Sequence, residues 1–497
     1  MTTYRYDAGR TGADLTESVL TPANVNSSSF GLLRVLPVDG KVDAQPLYVS
    51  HLSIGGSAHD VVFVATENDS VYAFDAQTGA VLWHVSLLAA GESPSDNRGC
   101  SQITPEIGVT STPVIDPAAG PHGAIFVVAM SKDAASNYHQ RLHALDLTTG
   151  AELFNGPVEV NPTYSSAAGG QKTFDPGQYA ERAALLLDDH TIYTSWTSHC
   201  DIQPYSGWIV GFNEDTLAQS SVLNVAADSN AGPSIWMSGG GLAADPAGNI
   251  YLLTANGAFE TTMNAGGFPQ YGDYGNSFLK LATTGGALAV ADYFTMHNEP
   301  AESAADEDLG SGGVLLLPDL TDSSGVVRHL AVGAGKDGNL YVVNRDAMGK
   351  YNPSSNNIWQ ELDGVFPGGV YASPAYFNGT LYYGNVGGTL KAFAVTAAKL
   401  ATTPTSQTTT EFPYPGTTPA VSANGTSDGI VWAVENSDPA VLHAYDATNL
   451  AHELYNSSQA AGGRDQFGAG NKFITPVIAD GMVFVGTPNS VAVFGER

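Results

Sequence analysis

The chain has 497 residues, 43% of them hydrophobic and only 14% charged, with a formal net charge of −30. With 49 acidic residues against 19 Lys and Arg, nucleic acid and anionic membranes are poor partners. No apolar run reaches the roughly 18 residues that a membrane-spanning helix needs, so no membrane span is expected. The surface is left mostly to uncharged Ser, Thr, Asn, Gln and Gly, which fits a periplasmic or secreted protein. The opening MTTYRYDAGRTG has neither the basic nor the apolar region of a signal peptide, and it reads as a mature domain restarted at Met.

In chain order, one strand–turn–strand phrase recurs eight times, most clearly at residues 61–83, VVFVATENDSVYAFDAQTGAVLW. A short apolar strand opens each unit, as in PLYV at 46, TPVI at 112, ALLL at 184, GLAA at 241 and VLLL at 314. SPAY at 373, TPAV at 418 and TPVI at 475 complete the set. A second apolar strand follows, then a third that ends in variants of Asp-x-x-Thr-Gly, where an Asx side chain bonds the turn and Gly supplies the positive φ. Such a unit cannot bury its own faces, so neighbouring copies must pack on one another. The last unit runs out after three strands, while residues 31–38, GLLRVLPV, have no partner near the first. Pairing them as the outer strand of blade 474–497 closes the ring and protects an open sheet edge. The expected fold is all-β: an eight-bladed β-propeller of four-stranded antiparallel blades, with residues 1–497 forming a single domain. Residues 402–410, TTPTSQTTT, are expected to be an exposed loop. The long insertions at 89–106, 260–275 and 296–310 are expected to roof one face, because loops of that length are uncommon unless functional.

Residues 235–348 depart most from the repeat. They read IWMSGGGLAADPAGNIYLLTANG, GDYGNSFLKL, HNEPAESAADEDLGSGGVLLLPD and VGAGKDGNLYVVNRDAMG. This order of landmarks resembles the quinoprotein alcohol dehydrogenases, whose propeller carries pyrroloquinoline quinone (PQQ) on its axis. The resemblance implies Trp236 as the floor under the quinone, Asn256 as an amide ligand of Ca²⁺, Asp308 as the base that takes the alcohol proton, and Lys336 as the cation on the quinone oxygens. It also implies Asp201 of HCDIQPYSGW as a further calcium ligand and Asp43 of VDAQPLYV as an acid near the cofactor. Ca²⁺ takes oxygen ligands of the kind Asp201, Asn256 and Asp308 offer, and a carboxylate beside a polarised quinone can act as general base. The acid that marks the lanthanide-using branch two positions after the catalytic aspartate is Gly310 here, so calcium is the expected metal. Implied partners are a small-molecule alcohol or carbohydrate and a separate electron acceptor, since no CxxCH haem motif is present.

The chain also departs from that family. Its adjacent-cysteine disulfide is missing, and the Ser/Thr strip that bonds the quinone acids has no counterpart around RAALLLDD and TSWTSHC. Two cysteines, Cys100 and Cys200, allow one disulfide or two free thiols. A bridge pinning two loops across the mouth is expected, against a Cys/His/Asp/Glu metal site or a nucleophilic Cys–His pair. Two other functions compete with a PQQ dehydrogenase: a cofactor-less propeller serving as a binding or assembly scaffold, and a hydrolase or lyase acting on polysaccharide.

Overall fold

The chain is seen in a computed structural model that describes residues 1–229 and 232–497. Eight antiparallel sheets stand around one axis. Blade one is Leu47–Ile54, Ser57–Ala65, Ser70–Asp75 and Val81–Ser86, paired in that order. Blades two to seven repeat the plan, their inner strands lying at Val114–Asp116, Leu186–Asp188, Ala243–Ala244, Leu315–Leu316, Ala375–Phe377 and Ala420–Asn424. In blade eight, Val477–Ala479, Met482–Gly486 and Ser490–Glu496 are joined on the outside by Phe30–Pro37, antiparallel to Ser490–Glu496. The ring therefore closes through a strand contributed from near the start of the sequence.

Apolar clusters lie between successive blades. Val62, Val64 and Phe74 of blade one meet Phe484, Val491 and Val493 of blade eight, and Phe63 and Trp83 face Ile125 and Val127 of blade two. The second strands read as continuous apolar runs because both faces of each sheet are covered. The turns behave as their composition demands. Asp75 Oδ1 accepts from the backbone N–H of Thr78 at 2.7 Å and its hydroxyl at 2.8 Å, with Gly79 at φ 77°. His143 and His443 are repeat-strand residues bonded to Glu152 and Glu453, at 2.5 and 2.8 Å.

One expectation is corrected. Much of the low-complexity segment 402–410 is not a loop: Ser406–Phe412 pairs with Gly388–Thr396 as the outer strand of blade six. Its threonines are β-branched and suit a half-exposed edge better than their low complexity suggests.

The first twelve residues have a structural task that no side-chain pattern announced. They run across the inner strands, and their carbonyls accept 2.8 Å hydrogen bonds from six blades in turn: Met1 from Tyr48, Thr2 from Ile115, Ala8 from Ala244, Gly9 from Leu316, Thr11 from Tyr376 and Gly12 from Val421. The Tyr6 hydroxyl accepts from Ile478 N of blade eight at 2.9 Å. Arg10, fully buried, reaches Leu242 O at 2.7 Å and Leu185 O, beside the inner strand of blade three, at 3.2 Å. Arg5, also buried, donates to Pro374 O and Pro419 O. All eight blades are thus tied to this one segment at the axis.

Candidate functional site

Each blade sends a few residues toward the axis just before its inner strand. Asp43, Thr110, Arg182, Trp236, Asp308, Tyr371, Tyr414 and Lys472 all stand two to six positions ahead of the apolar phrase of their own blade. A chamber of about 240 Å³ lies among them, lined by Arg182, Asp201, Trp236, Asp306, Asp308, Lys336, Tyr371, Tyr414, Lys472 and Phe473, with Gln102, Thr197 and Ser198 at its wall. That volume is close to the lower end of the roughly 300–1,000 Å³ usual for small-molecule pockets. A smaller adjoining cavity shares Arg182, Lys472 and Phe473, and it reaches Asp43 and Tyr4 of the N-terminal segment.

Asp308 is the most firmly held group. It is buried at the start of the tight turn Leu309–Ser311. Its Oδ1 accepts from Asn256 N at 2.8 Å, and its Oδ2 lies 2.6 Å from Lys336 Nζ. The Asp308 carbonyl accepts from Lys336 N at 2.9 Å and the Ser311 hydroxyl at 3.0 Å, while Asn276 Oδ1 receives the next amide, Leu309 N, at 2.9 Å. Lys336 Nζ also reaches the exposed Asp306 at 2.9 Å, and Asp306 accepts from Asn256 Nδ2 at 2.9 Å. Burial pushes the Asp308 pKa above the usual value, with Lys336 and the Asn256 N–H pulling back. Burial opposes the Lys336 charge, but Asp308 and then Asp306 outweigh it and hold its pKa well above an ordinary lysine.

Gly310 is glycine for a steric reason. A Cβ there would stand 2.6 Å from Ala255 N and from the Thr254 carbonyl carbon, both backbone atoms. No carboxylate fits at this position without moving the strand end that carries Asn256.

The aromatic wall has four members. Trp236, half-buried, has Tyr371 at 5.9 Å and Phe473 at 6.3 Å between ring centroids, and Tyr414 lies 5.7 Å from Tyr371 and 6.2 Å from Phe473. Lys472 sits beside this wall. Burial, then Arg182 and Lys41, lowers its pKa to about 8.

Asp201 is exposed at the opposite wall and accepts from the Tyr205 hydroxyl at 2.9 Å. It follows Cys200, which is joined to Cys100 in a disulfide with a Cα–Cα separation of 5.7 Å. The bridge ties the loop of insertion 89–106 to the loop after the second strand of blade three. With both sulfurs so engaged, neither a cysteine metal site nor a thiolate nucleophile is available. His199 turns inward instead, its Nε2 3.0 Å from Tyr179 O, and burial lowers its pKa to about 4. Asp43 lies away from the chamber in the smaller cavity, 2.9 Å from Lys41 Nζ and 2.9 Å from Asn471 Nδ2. Beside it is Glu67, whose pKa burial and the Asp43 charge raise well above the usual value, while its Oε2 accepts from Gly108 N at 2.8 Å and the Thr110 hydroxyl at 3.0 Å.

Insertion 296–310 delivers Asp308 through the short helix Glu299–Ala304, which buries two acids. Burial raises Glu299 to about 7, and burial with the Asp337 charge raises Glu302 to about 8. Both folded values exceed the ordinary 4.5, so the stability they confer is complete below pH 4.5 and is lost as pH rises toward 8. Glu302→Gln keeps the Asn298 contact (2.7 Å) without the charge. It should raise the thermal unfolding midpoint over wild type at pH 8.5 and leave it unchanged at pH 4. Equal midpoints at pH 8.5 would refute this assignment of the buried acids.

Sequence reading brought Trp236, Asp308 and Lys336 to this chamber, with Asn256 bonded to its acids and Asp201 on its rim. It missed Arg182, Tyr371, Tyr414, Lys472, Phe473 and Glu67. The available signal was their shared place ahead of each inner strand.

Comparison with known proteins places the architecture. Residues 5–100 match the family model described as outer membrane protein assembly factor BamB. No curated protein matches the chain in sequence. Among solved structures, the chain is similar to the quinohemoprotein alcohol dehydrogenase of Comamonas testosteroni, at 15% identity and a TM-score of 0.64, over 99% of this chain and 80% of that one. It is similar to quinohemoprotein alcohol dehydrogenase ADHIIG of Pseudomonas putida HK5, at 13% identity and a TM-score of 0.62, over 99% and 80%. A europium-containing methanol dehydrogenase matches at 13% identity and a TM-score of 0.59, over 99% of this chain and 98% of that one. At such identities the likeness is one of fold. The chain is an eight-bladed β-propeller, and its fold is that of the quinoprotein dehydrogenases.

Proposed function

We propose that this protein is a quinoprotein-type oxidoreductase that oxidises an alcohol or sugar hydroxyl, with PQQ and Ca²⁺ at the axial chamber and a separate electron acceptor. The observation that carries this reading is convergence: Trp236, Asp308 and Lys336 share one chamber although more than seventy residues separate the first from the second.

The residues present suit both groups. Asp201, Asn256 and Asp308 would hold Ca²⁺, all as oxygen donors, and the buried Ser198 Oγ at the same wall makes no hydrogen bond among the described residues. The backbone packed against Gly310 leaves no room for a further carboxylate there, which favours calcium over a lanthanide. Trp236 would lie against the flat face of PQQ. When bound, PQQ supplies the two-electron acceptor and Ca²⁺ the Lewis acid.

The chain's own groups do the rest. Asp308 is a buried carboxylate with a raised pKa, suited to taking the hydroxyl proton as the substrate is oxidised. Lys336 presents a fixed positive charge beside it. The four aromatic rings give one side of the chamber an apolar wall, and the disulfide suits an oxidising compartment, periplasmic or extracellular.

Titrating the purified protein with PQQ and CaCl₂ tests the reading, by quinone absorbance and by dye reduction with alcohols and sugars. Failure to bind micromolar PQQ would sink it. The competing reading, a cofactor-less binding or assembly scaffold, draws on the match of residues 5–100 to the assembly-factor model. It would gain by that same failure.

A further inference from the structure

In a chain with 49 acids and 19 Lys and Arg, two cations of the chamber form no ion pair among the described residues. Arg182 is 4% exposed, its guanidinium makes no hydrogen bond to the described residues, and its buried Nε has no partner. Its cation lies over the Phe473 ring, 4.8 Å from the centroid. Lys472 is 5.5 Å from the same ring centroid and likewise makes no hydrogen bond or ion pair with the described residues. Both side chains line the chamber and the smaller cavity beside it.

The charge of Asp43 favours both cations from a distance, but no acid among the described residues forms a direct ion pair with either. The direct contacts of Asp43 go to Lys41 and Asn471, and those of Glu67 to Gly108 N and the Thr110 hydroxyl. Asp306 and Asp308 are both taken by Lys336. A buried cation without a direct hydrogen-bonded counter-charge is costly, because its desolvation is only partly repaid. A guanidinium presented edge-on to a cavity is suited to a planar oxyanion, which it can bind through two parallel N–H groups.

We propose that Arg182 and Lys472 form a seat for a carboxylate carried on a flat ring that lies among Trp236, Tyr371, Tyr414 and Phe473. The seat stands on the unpaired cations and does not depend on the quinoprotein reading. The carboxylate has two sources, the acid groups of the quinone or an aromatic acid acting as substrate.

Calorimetric titration of the whole protein at low salt separates them, with isophthalate alone as one probe and PQQ with CaCl₂ as the other. Benzamide, which has no charge, is the control. Wild type should bind at least one acid probe and not benzamide. Lys472→Gln and Arg182→Gln should each weaken that binding roughly tenfold or more, the loss expected for one charge-assisted hydrogen bond. If both probes behave so, the quinone acids use the seat. If only isophthalate binding is weakened by the substitutions, the seat holds a substrate acid, and the quinoprotein reading fails only when PQQ does not bind at all. PQQ binding equally well to wild type and both variants, with isophthalate unbound, would overturn the seat while leaving the quinoprotein reading intact. Absence of binding by either acid, or isophthalate binding indifferent to both substitutions, would overturn it too. Should Arg182→Gln fail to fold, the half-buried Lys472→Gln decides alone.

Discussion

Arg10→Ala should lower the stability of the whole ring by about 4 kcal/mol or more, the largest stability effect expected from one substitution in this chain. The Arg10 side chain donates to Leu242 O at 2.7 Å, Thr3 Oγ1 at 2.8 Å, Tyr4 O at 2.9 Å and Leu185 O at 3.2 Å. Removing it strands those acceptors where water does not reach, at roughly 1–3 kcal/mol for each left unsatisfied. Burial lowers the Arg10 pKa to about 10, so the group is still charged at neutral pH and its charge is held by carbonyl dipoles. The effect should spread beyond one blade, because the same segment bonds six others through its backbone. Urea midpoints read by fluorescence and by limited proteolysis should fall together, with blades three and four cleaved first. A variant as stable as wild type would mean that the segment merely lies on the axis without holding it.

Asp308→Asn should lower kcat by about 100- to 10,000-fold, the range for loss of a positioned general base. The substitution conserves shape but not acceptor capacity. The two donors sit on different carboxylate oxygens and an amide nitrogen cannot accept, so whichever of the 2.8 and 2.6 Å contacts falls to that nitrogen must break. PQQ affinity, held by other residues, should change far less than turnover. Since burial raises the Asp308 pKa, the acid limb of the wild-type pH–rate profile should lie above the usual carboxylate range, activity falling as pH drops through it. That limb should vanish in the variant's residual rate. Turnover within tenfold of wild type would remove Asp308 from the proposed chemistry.

Much of the architecture was legible because a repeat exposes its own register. Gly31 to Val38 could be assigned to the last blade by counting strands, and the observed partner strand is Phe30–Pro37. Trp236, Asn256, Asp308 and Lys336 were picked out by the order of landmarks in residues 235–348, the stretch that departs most from the repeat and resembles the quinoprotein alcohol dehydrogenases. Arg182 and Lys472 were not, since each stands alone in its blade with no neighbouring motif. Their meaning appears only when eight blades are superposed about the axis. The N-terminal segment was illegible for a different reason: it acts through carbonyls, which every sequence has. Residues 406–412 misled because a run of threonines resembles a linker in composition and an edge strand in shape.

The outer strand of the last blade also sets a timetable. Phe30–Pro37 is made long before its partner Ser490–Glu496, which follows it by roughly 450 residues. At roughly 5–20 residues per second, the interval is on the order of half a minute to a minute and a half. Throughout that time FGLLRVLP is an apolar strand with two open edges, and the axial segment before it has most of its blades still to meet. Blades one to seven can condense in order, but the ring stays an open arc until the strands of the eighth blade have been made. Slowing translation should therefore lengthen the window for wrong strand pairing between chains, making yield more sensitive to synthesis rate than to the stability of the finished molecule.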